Sequence, residues 1–207
     1  MNHYRKVLFP TYIYHYNLKG HNKVLKDILV PRIEQYLKDY PAPDKSPPGW
    51  ISSNIITSWG RNTINQKLFA QSAEVNKCYK EHFMKIFGMT VKSSVKFTDA
   101  WFNYYIDGQY QEPHDHVNPD YNTPDPHFSA IHFLQFDKNI HQPVKFVDPN
   151  SKLNRRHLKT DIYTPEIEEG DIIVFPCHLT HFVNASEPTP EYPRISVAFN
   201  INIQEEI

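Results

Sequence analysis

A chain of 207 residues that is 40% hydrophobic is long enough to bury the core of one domain, and no shift in composition divides it into two. Its 22 basic and 23 acidic residues are mixed along the chain, which excludes the broad basic surface expected for binding nucleic acid or an anionic membrane. No apolar segment is long enough to span a bilayer, and the two cysteines lie far apart, so we expect a soluble, unexported protein in a reducing compartment.

The first 92 residues are predicted to supply one strand and two supporting helices. The strand lies in VLFPTYIYHY, which is rich in β-branched and aromatic residues. Apolar residues at helical spacing between Leu25 and Leu37 predict the first helix, which Pro31 is expected to kink or split. A second helical pattern runs from about Asn65 to Phe87, and Gly88 follows it as a typical C-terminal glycine. PAPDKSPPG, between the helices, is predicted to be a loop.

Residues 93–207 are predicted to form a β core within the same single domain. The strand-like segments are SVKFTDAWFNYYI, YQEPHDHV, FSAIHFLQF, PVKFVDP, TDIYTP, GDIIVFP, THFVNA and RISVAFNINI. Turn signals such as Asp107-Gly108 and Glu169-Gly170 separate these segments, and so many short strands indicate a sandwich or jelly roll. The proline-rich segment around 117–127 is predicted to be a long loop, either a mobile lid that becomes partly ordered when a site is filled or a surface excursion with no role in a site.

Two histidines stand one residue apart in the segment EPHDHVNP. In an extended strand His114 and His116 point to one face while Asp115 points to the other. Two imidazoles on one face suggest a metal site, although a chain with 12 histidines also places two at this spacing by chance. The later segment FPCHLTHFVNAS adds His178 and His181 after an apolar strand, which makes a site assembled from distant strands plausible.

An arginine opens the last predicted strand, RISVAFNINI. Strand alternation places four of its residues on one face: Arg194, Ser196, Ala198 and Asn200. A guanidinium is costly to bury unless an anion meets it. Arg194 therefore indicates either an internal salt bridge or an anionic ligand.

The order of these motifs resembles that of the iron(II)- and 2-oxoglutarate-dependent oxygenases. Their metal motif is His-x-Asp/Glu followed at a distance by His, and their cosubstrate motif is Arg-x-Ser. Within that superfamily the chain is most similar to a small branch from bacteria and phages, with the patterns W-x-N, G-x-Y-x-x-P-H-x-H, F-x-D-P, F-P-x-x-x-x-H and R-x-S-x-x-F-N. The matching residues, densest between 99 and 203, are Trp101 and Asn103, then Gly108, Tyr110, Pro113, His114 and His116, then Phe146, Asp148 and Pro149, then Phe175, Pro176 and His181, and finally Arg194, Ser196, Phe199 and Asn200.

The resemblance implies a mainly β fold, a distorted double-stranded β-helix or jelly roll, with the N-terminal helices supporting one sheet. It also implies an Fe(II) centre held on one face by His114, His116 and His181. A carboxylate usually occupies the second of these positions, so His116 makes the site a three-histidine one, which would change the redox properties of the iron. Two alternatives stay open for Asp115, which are a role next to the ligands and ligation itself if the strand is bulged there. His178 is the alternative to His181 as the distal ligand. Two further histidines are expected to be bystanders in a loop and in the core: His127 and His132.

The resemblance further implies that 2-oxoglutarate is the cosubstrate and that O2 is consumed. The far carboxylate of 2-oxoglutarate would meet the guanidinium of Arg194 and the hydroxyl of Ser196. Asn103 and Tyr105 are weaker candidates for the same pocket, and packing in the core is an alternative role for them.

Three functions therefore stay open at the level of sequence. The first is a 2-oxoglutarate-dependent dioxygenase that hydroxylates a C–H bond of a protein side chain or a small molecule. The second is a three-histidine cupin-like dioxygenase, for example one that acts on a thiol, which leaves Arg194 unexplained. The third is a non-catalytic jelly roll that binds a metal. The expected location is the cytoplasm of a bacterial cell or a phage-infected host, and neither the substrate nor the oligomeric state follows from the sequence.

Overall fold

The computed structural model describes residues 11–18, 20–39, 55–88, 93–118, 122–149 and 162–205. The helices within these ranges are α1 (His21–Asp39), α2 (Asn62–Asn65) and α3 (Ala73–Ile86), with a π-helical turn at Gln66–Ala70. The strands are β1 (Tyr14–Asn17), β2 (Ile56–Thr57), β3 (Ser93–Tyr105), β4 (Gln111–His114), β5 (Phe128–Gln135), β6 (Val144–Val147), β7 (Ile162–Tyr163), β8 (Asp171–Pro176), β9 (His181–Val183) and β10 (Arg194–Glu205). No helix in these ranges is long and apolar enough to cross a membrane.

The strands form two antiparallel sheets with an apolar core between them. The larger sheet has the order β1-β8-β5-β10-β3-β2, and the smaller one has the order β4-β9-β6-β7. Phe133 on β5 and Phe175 on β8 belong to the same buried cluster as Val144 and Phe146 on β6, so the two sheets pack face to face. The predicted jelly roll, with one strand for each of the eight predicted β segments, is confirmed.

The helices cover the outer face of the larger sheet, as predicted. The side of α1 that carries Leu25, Leu29 and Ile33 is fully buried, because positions four residues apart lie on one face of a helix. α3 packs in the same cluster through Tyr79 and Phe83. β10 contributes alternate residues to this cluster, which leaves its other face to the core between the sheets and to the site described below.

The second helical segment differs from its prediction. The expected single helix is interrupted by the π-helical turn, in which the N–H of Gln71 donates to the carbonyl oxygen of Gln66 at 2.8 Å. In this wider turn the consecutive residues Leu68 and Phe69 are both buried in the core. In a regular α-helix two consecutive side chains point about 100° apart, so a narrow apolar face buries both less completely. Gly88 has a φ of 59°, as expected for a glycine that ends a helix.

Pro31 does not split α1, which rules out one of the two effects expected of it. It lies on the exposed side of the helix, and the buried residues Leu29 and Ile33 on either side hold the helix together. The predicted loop at 41–49 and part of the predicted lid, residues 119–121, lie outside the described residues. The lid and the division of the chain at residue 93 stay predictions, although β1 and β2 both pair with strands of the larger sheet.

Candidate metal and cosubstrate site

Three histidines converge where β4 meets β9. His114, at the end of β4, lies directly opposite His181, at the start of β9. The register of this strand pair shifts between Gln111 and His114. His116 follows β4, and its backbone N–H donates to the carbonyl oxygen of Cys177 at 2.9 Å. One ring nitrogen from each histidine can be chosen so that all three lie within 4.8 Å of one another.

The hydrogen bonds of the three rings select one tautomer. His114 and His181 each place Nδ1 against the carbonyl oxygen two residues earlier in the chain, at 2.7 and 3.0 Å. His116 places Nδ1 2.7 Å from the side-chain oxygen of Asn200. These oxygens can only accept, so Nδ1 carries the proton in each ring and Nε2 carries the lone pair. That is the tautomer in which histidine binds a metal through Nε2.

Burial also keeps the three imidazoles neutral. It lowers the pKa of His116 to about 4 and is the largest influence on that ring. Burial lowers the pKa of His181 well below its usual value, and the nearby His114 and His116 lower it further. The pKa of His114 is lowered by burial as well. All three rings are therefore unprotonated at neutral pH, so a metal ion would not have to displace protons from them.

The rival residues lie away from this cluster. Asp115 is exposed, and its carboxylate accepts the backbone N–H of Val117 at 3.1 Å. His178 and His127 are exposed, and His132 is fully buried on the helix side of the larger sheet. Within the described residues the cluster consists of the three predicted histidines alone.

The four residues expected to bind the cosubstrate share one patch of the larger sheet. Arg194 on β10 lies opposite Tyr105 on β3, and Ser196 lies opposite Asn103, so all four side chains point to the same face. Each of the four is at most 5% exposed. The alternation predicted for β10 is therefore present, and it places these residues on the face that looks toward the smaller sheet.

Arg194 is a buried cation that lacks an anionic partner. Its guanidinium carbon lies 4.4 Å from the ring centre of Tyr105 and 5.3 Å from that of Phe133. Its Nε and Nη1 atoms make no hydrogen bond, and no ion pair joins Arg194 to a carboxylate in the described part of the chain. Burial lowers the pKa of the guanidinium. An internal salt bridge thus does not account for Arg194 among these residues, and an anionic ligand would supply the missing partner.

A cavity of about 380 Å³ opens beside the histidine cluster. His114, His116, Asn103 and two tryptophans, Trp59 and Trp101, are among the residues that line it. The side chain of Asn103 is 5% exposed and makes no hydrogen bond with another described residue. It therefore offers its amide to whatever occupies the cavity.

Two residues of this region did not stand out in the sequence analysis as parts of a site. Gln111 lines the cavity, and its side-chain oxygen accepts the hydroxyl proton of Tyr105 at 2.8 Å, so it connects the cavity with the ring on which Arg194 lies. Asn200, matched only as a motif residue, holds the ring of His116. Strand alternation places Asn200 on the correct face, but no sequence signal pairs it with a residue 84 positions away.

Comparison with known families gives one match in sequence. Residues 99–200 match the model of a family described as "Putative 2OG-Fe(II) oxygenase". This segment contains all seven residues expected to bind metal or cosubstrate. No curated protein is recognisably similar to the chain in sequence.

Solved structures share the fold at low sequence identity. A prolyl-4-hydroxylase from Pseudomonas putida is 10% identical with a TM-score of 0.58, and the match covers 92% of both chains. The viral collagen prolyl hydroxylase of Paramecium Bursaria Chlorella virus-1 is 14% identical with a TM-score of 0.51, covering 92% of this chain and 95% of the other. EctD from S. alaskensis, crystallised with 2-oxoglutarate and 5-hydroxyectoine, is 18% identical with a TM-score of 0.53, covering 91% and 72%.

The sequence match and the shared fold agree with each other and with the chemistry of the residues at the site. Three neutral imidazoles suit Fe(II), and a buried guanidinium suits a dicarboxylate cosubstrate. Over residues 99–200 the chain belongs to the Fe(II)- and 2-oxoglutarate-dependent oxygenases, non-heme iron dioxygenases that consume 2-oxoglutarate and O2.

Proposed function

We propose that this oxygenase hydroxylates a C–H bond and that His114, His116 and His181 hold its Fe(II). The observation that carries the ligand assignment is the shared hydrogen-bond pattern, in which an acceptor fixes the proton of every ring on Nδ1. Three protein ligands would leave coordination positions of Fe(II) for 2-oxoglutarate and O2. Because Asp115 is exposed and bound to the backbone, the ligand set is neutral.

We assign the far carboxylate of 2-oxoglutarate to Arg194, with Ser196 as a second donor. The unpartnered Nε and Nη1 atoms of Arg194 are the observation behind this assignment. A charge-assisted bond to a carboxylate would satisfy them, and Tyr105 would keep the guanidinium in place from its ring face. Asn103, opposite Ser196 and lining the cavity, would orient the cosubstrate or the substrate through its amide.

Bound Fe(II) supplies the redox chemistry, in which O2 oxidatively decarboxylates 2-oxoglutarate to succinate and CO2 and its second oxygen atom enters the substrate C–H bond. The protein's own contribution is positioning and the exclusion of water. The rings of His116 and Trp101 lie 5.5 Å apart, so one wall of the cavity beside the cluster is aromatic. Such a wall keeps bulk water from the reacting atoms and leaves Asn103 to orient what binds.

The substrate class is either a protein side chain or a small molecule. Two of the similar structures are prolyl hydroxylases by name, and EctD was crystallised with a small hydroxylated compound. The cavity of about 380 Å³ admits a small molecule or a single side chain equally well. A cytoplasmic location is part of the same proposal.

The decisive experiment is calorimetric titration of 2-oxoglutarate into the Mn(II)-loaded protein. Arg194→Ala should leave Mn(II) binding intact and weaken 2-oxoglutarate binding by about two orders of magnitude or more, because the carboxylate would lose its buried charged partner. Arg194→Lys should recover only part of the affinity, since an ammonium is a point charge without a planar fork.

The matched control for this titration is Arg32→Ala, which removes an exposed arginine on α1 and should bind 2-oxoglutarate as the wild type does. Equal affinity in wild type and Arg194→Ala would contradict the cosubstrate assignment. Absence of binding in the wild type, with Mn(II) bound, would favour the three-histidine dioxygenase that needs no keto acid. Absence of Mn(II) binding in the wild type would remove the metal centre itself.

A further inference from the structure

The side chain that holds His116 differs from the groups that hold the other two histidines. His114 and His181 donate to backbone carbonyl oxygens, which the fold supplies whatever the side chains are. His116 alone donates to a side chain, that of Asn200. We infer that Asn200 is a positioning residue that fixes the tautomer and the donor strength of His116. This inference rests on the proposed three-histidine centre.

The surroundings of Asn200 fix the direction of its amide. Its Nδ2 faces a carboxylate oxygen of Asp99 at 3.5 Å, so its Oδ1 is left to face the imidazole. The hydroxyl of Ser129 lies 3.2 Å from the same Oδ1 and 2.9 Å from Nδ1 of His116. An amide oxygen has two lone pairs, so it can accept from the hydroxyl and from the ring together. The acceptor is therefore held from two sides.

Asn200 acts at the ligand that sets this protein apart from the usual pattern. His116 stands where a carboxylate usually ligates, and a neutral imidazole donates less charge to a metal than a carboxylate does. A hydrogen bond from Nδ1–H to a good acceptor increases the electron density at Nε2. The exposed carboxylate of Asp99 faces the Nδ2 of Asn200 and polarises its amide, which makes Oδ1 a better acceptor for His116. The negative charge of Asp99 thus partly replaces the charge of the carboxylate ligand that His116 substitutes.

The test uses the full chain loaded with Co(II) under anaerobic conditions. In the wild type, three solvent-exchangeable N–H resonances should be shifted far from the normal range by the paramagnetic ion, one from each ligand ring. Asn200→Leu has a similar size but leaves only the hydroxyl of Ser129, 2.9 Å from Nδ1, as an acceptor, so the resonance of His116 should shift and exchange faster than in the wild type. Its Co(II) affinity should fall about 10- to 100-fold, the usual effect of removing a residue that orients a ligand.

A double variant provides the rescue. Asp99→Asn combined with Asn200→Asp exchanges amide and carboxylate, which retains an acceptor for His116 without adding a charge. It should restore the wild-type shift of the third resonance and the Co(II) affinity, which a role of Asn200 in packing alone would not require. Asn202→Leu is the matched control, because Asn202 lies on the same strand and its side chain accepts the backbone N–H of His127, away from the metal ligands.

The outcomes separate this inference from the function on which it depends. A His116 resonance with the shift and exchange rate of the wild type, together with unchanged affinity in Asn200→Leu, would overturn the role of Asn200 and leave the metal centre standing. Loss of affinity that the double variant does not restore would reduce Asn200 to a packing residue. If the wild type shows no shifted N–H resonances with Co(II), the three-histidine centre itself is wrong.

Discussion

At the scale of single residues, this oxygenase buries polar groups that do not stabilise the fold. Arg194 is 3% exposed and two of its guanidinium nitrogens have no hydrogen-bond partner, which makes it a cost to the folded state in the absence of an anion. Its contacts with Tyr105 and Phe133 offset only part of that cost. Groups that violate the rules of core composition without local compensation are expected at functional sites.

Replacing Arg194 by an apolar residue of similar length should therefore stabilise the ligand-free protein. We expect Arg194→Met to increase the free energy of unfolding by about 1 to 3 kcal/mol, as seen when buried charges are replaced by packed apolar groups. Urea denaturation in the absence of metal and 2-oxoglutarate measures this change. A loss of stability would mean that the guanidinium is already well compensated in the folded protein.

The proposed metal ligands give a second prediction at this scale. His114→Ala, His116→Ala and His181→Ala should each reduce the bound iron sharply, because two imidazoles alone hold Fe(II) weakly. His178→Ala is the control, since that ring is exposed and lies outside the cluster. Iron per protein after anaerobic reconstitution is the measurement. Full iron in His116→Ala together with loss of iron in Asp115→Ala would reinstate a carboxylate ligand.

At the scale of elements, α3 stabilises the larger sheet from the side opposite the site. Phe83 is fully buried, and its ring centre lies 5.4 Å from those of Phe97 on β3 and Phe199 on β10. Asn200 follows Phe199 and points to the other face, so one strand carries both the core of the helix layer and a residue that contacts a candidate ligand.

Shortening the side chain of Phe83 should lower the stability of the fold without removing the candidate metal site. Phe83→Ala is expected to lower the free energy of unfolding by about 3 to 5 kcal/mol, the range for a buried phenylalanine. Lys77→Ala, on the exposed side of α3, should change it by less than about 0.5 kcal/mol. Urea denaturation measures both. Metal stoichiometry of folded Phe83→Ala should equal that of the wild type, and a reduced value would show that α3 also shapes the histidine cluster.

Periodicity explains how much of the elements and the site could be predicted from the sequence. The alternation of β10 placed Arg194 and Ser196 on one face, and the His-x-His spacing placed two imidazoles together, because both are properties of a single strand. The π-helical turn at 66–70 was missed because consecutive apolar residues fit both turn types. β2 was missed because a strand of two residues is too short to show an alternating pattern in the sequence. The nearby Trp59, which lines the cavity, was missed with it.

Contacts between distant strands could not be predicted in the same way. The bond between Asn200 and His116 and the bond between Gln111 and Tyr105 depend on register and on rotamers, which only the assembled sheets determine. The residue types are ordinary polar ones, and nothing in their spacing along the chain distinguishes them from surface residues. The candidate ligands were therefore visible in the sequence, while the groups that orient them were not.

At the scale of the whole molecule, buried neutral histidines link stability to pH. Burial lowers the pKa of His132 to about 3 and that of His116 to about 4, and it lowers the pKa of His181 well below the usual value. In the unfolded chain these side chains bind protons near pH 6.5. Below that pH the unfolded state takes up protons that the folded state does not, so the stabilisation is complete above about pH 6.5 and is lost as the pH falls toward 4 and then 3.

His132 isolates this effect from the metal site. It lies on the helix side of the sheet, where its ring accepts the hydroxyl of Tyr79 at 2.7 Å and donates to the side-chain oxygen of Asn22 at 3.0 Å, so the neutral ring is fully hydrogen-bonded. A second proton would require Nδ1 to become a donor and would place a charge in the core. In the metal-free protein, the free energy of unfolding should therefore fall steadily from pH 6.5 to pH 4.

The variant His132→Gln should be less stable than the wild type at pH 7 but should lose stability less steeply on acidification. The slope of the free energy of unfolding against pH should decrease by about 1.4 kcal/mol per pH unit, which is the contribution of one group that is protonated only in the unfolded chain. Urea denaturation of the metal-free protein at pH 7, 6, 5 and 4 gives the slope, and His127→Gln, which removes an exposed histidine, should keep the slope of the wild type. Equal slopes in His132→Gln and wild type would show that His132 becomes protonated within the folded core, which would then have to open locally around Tyr79 and Asn22.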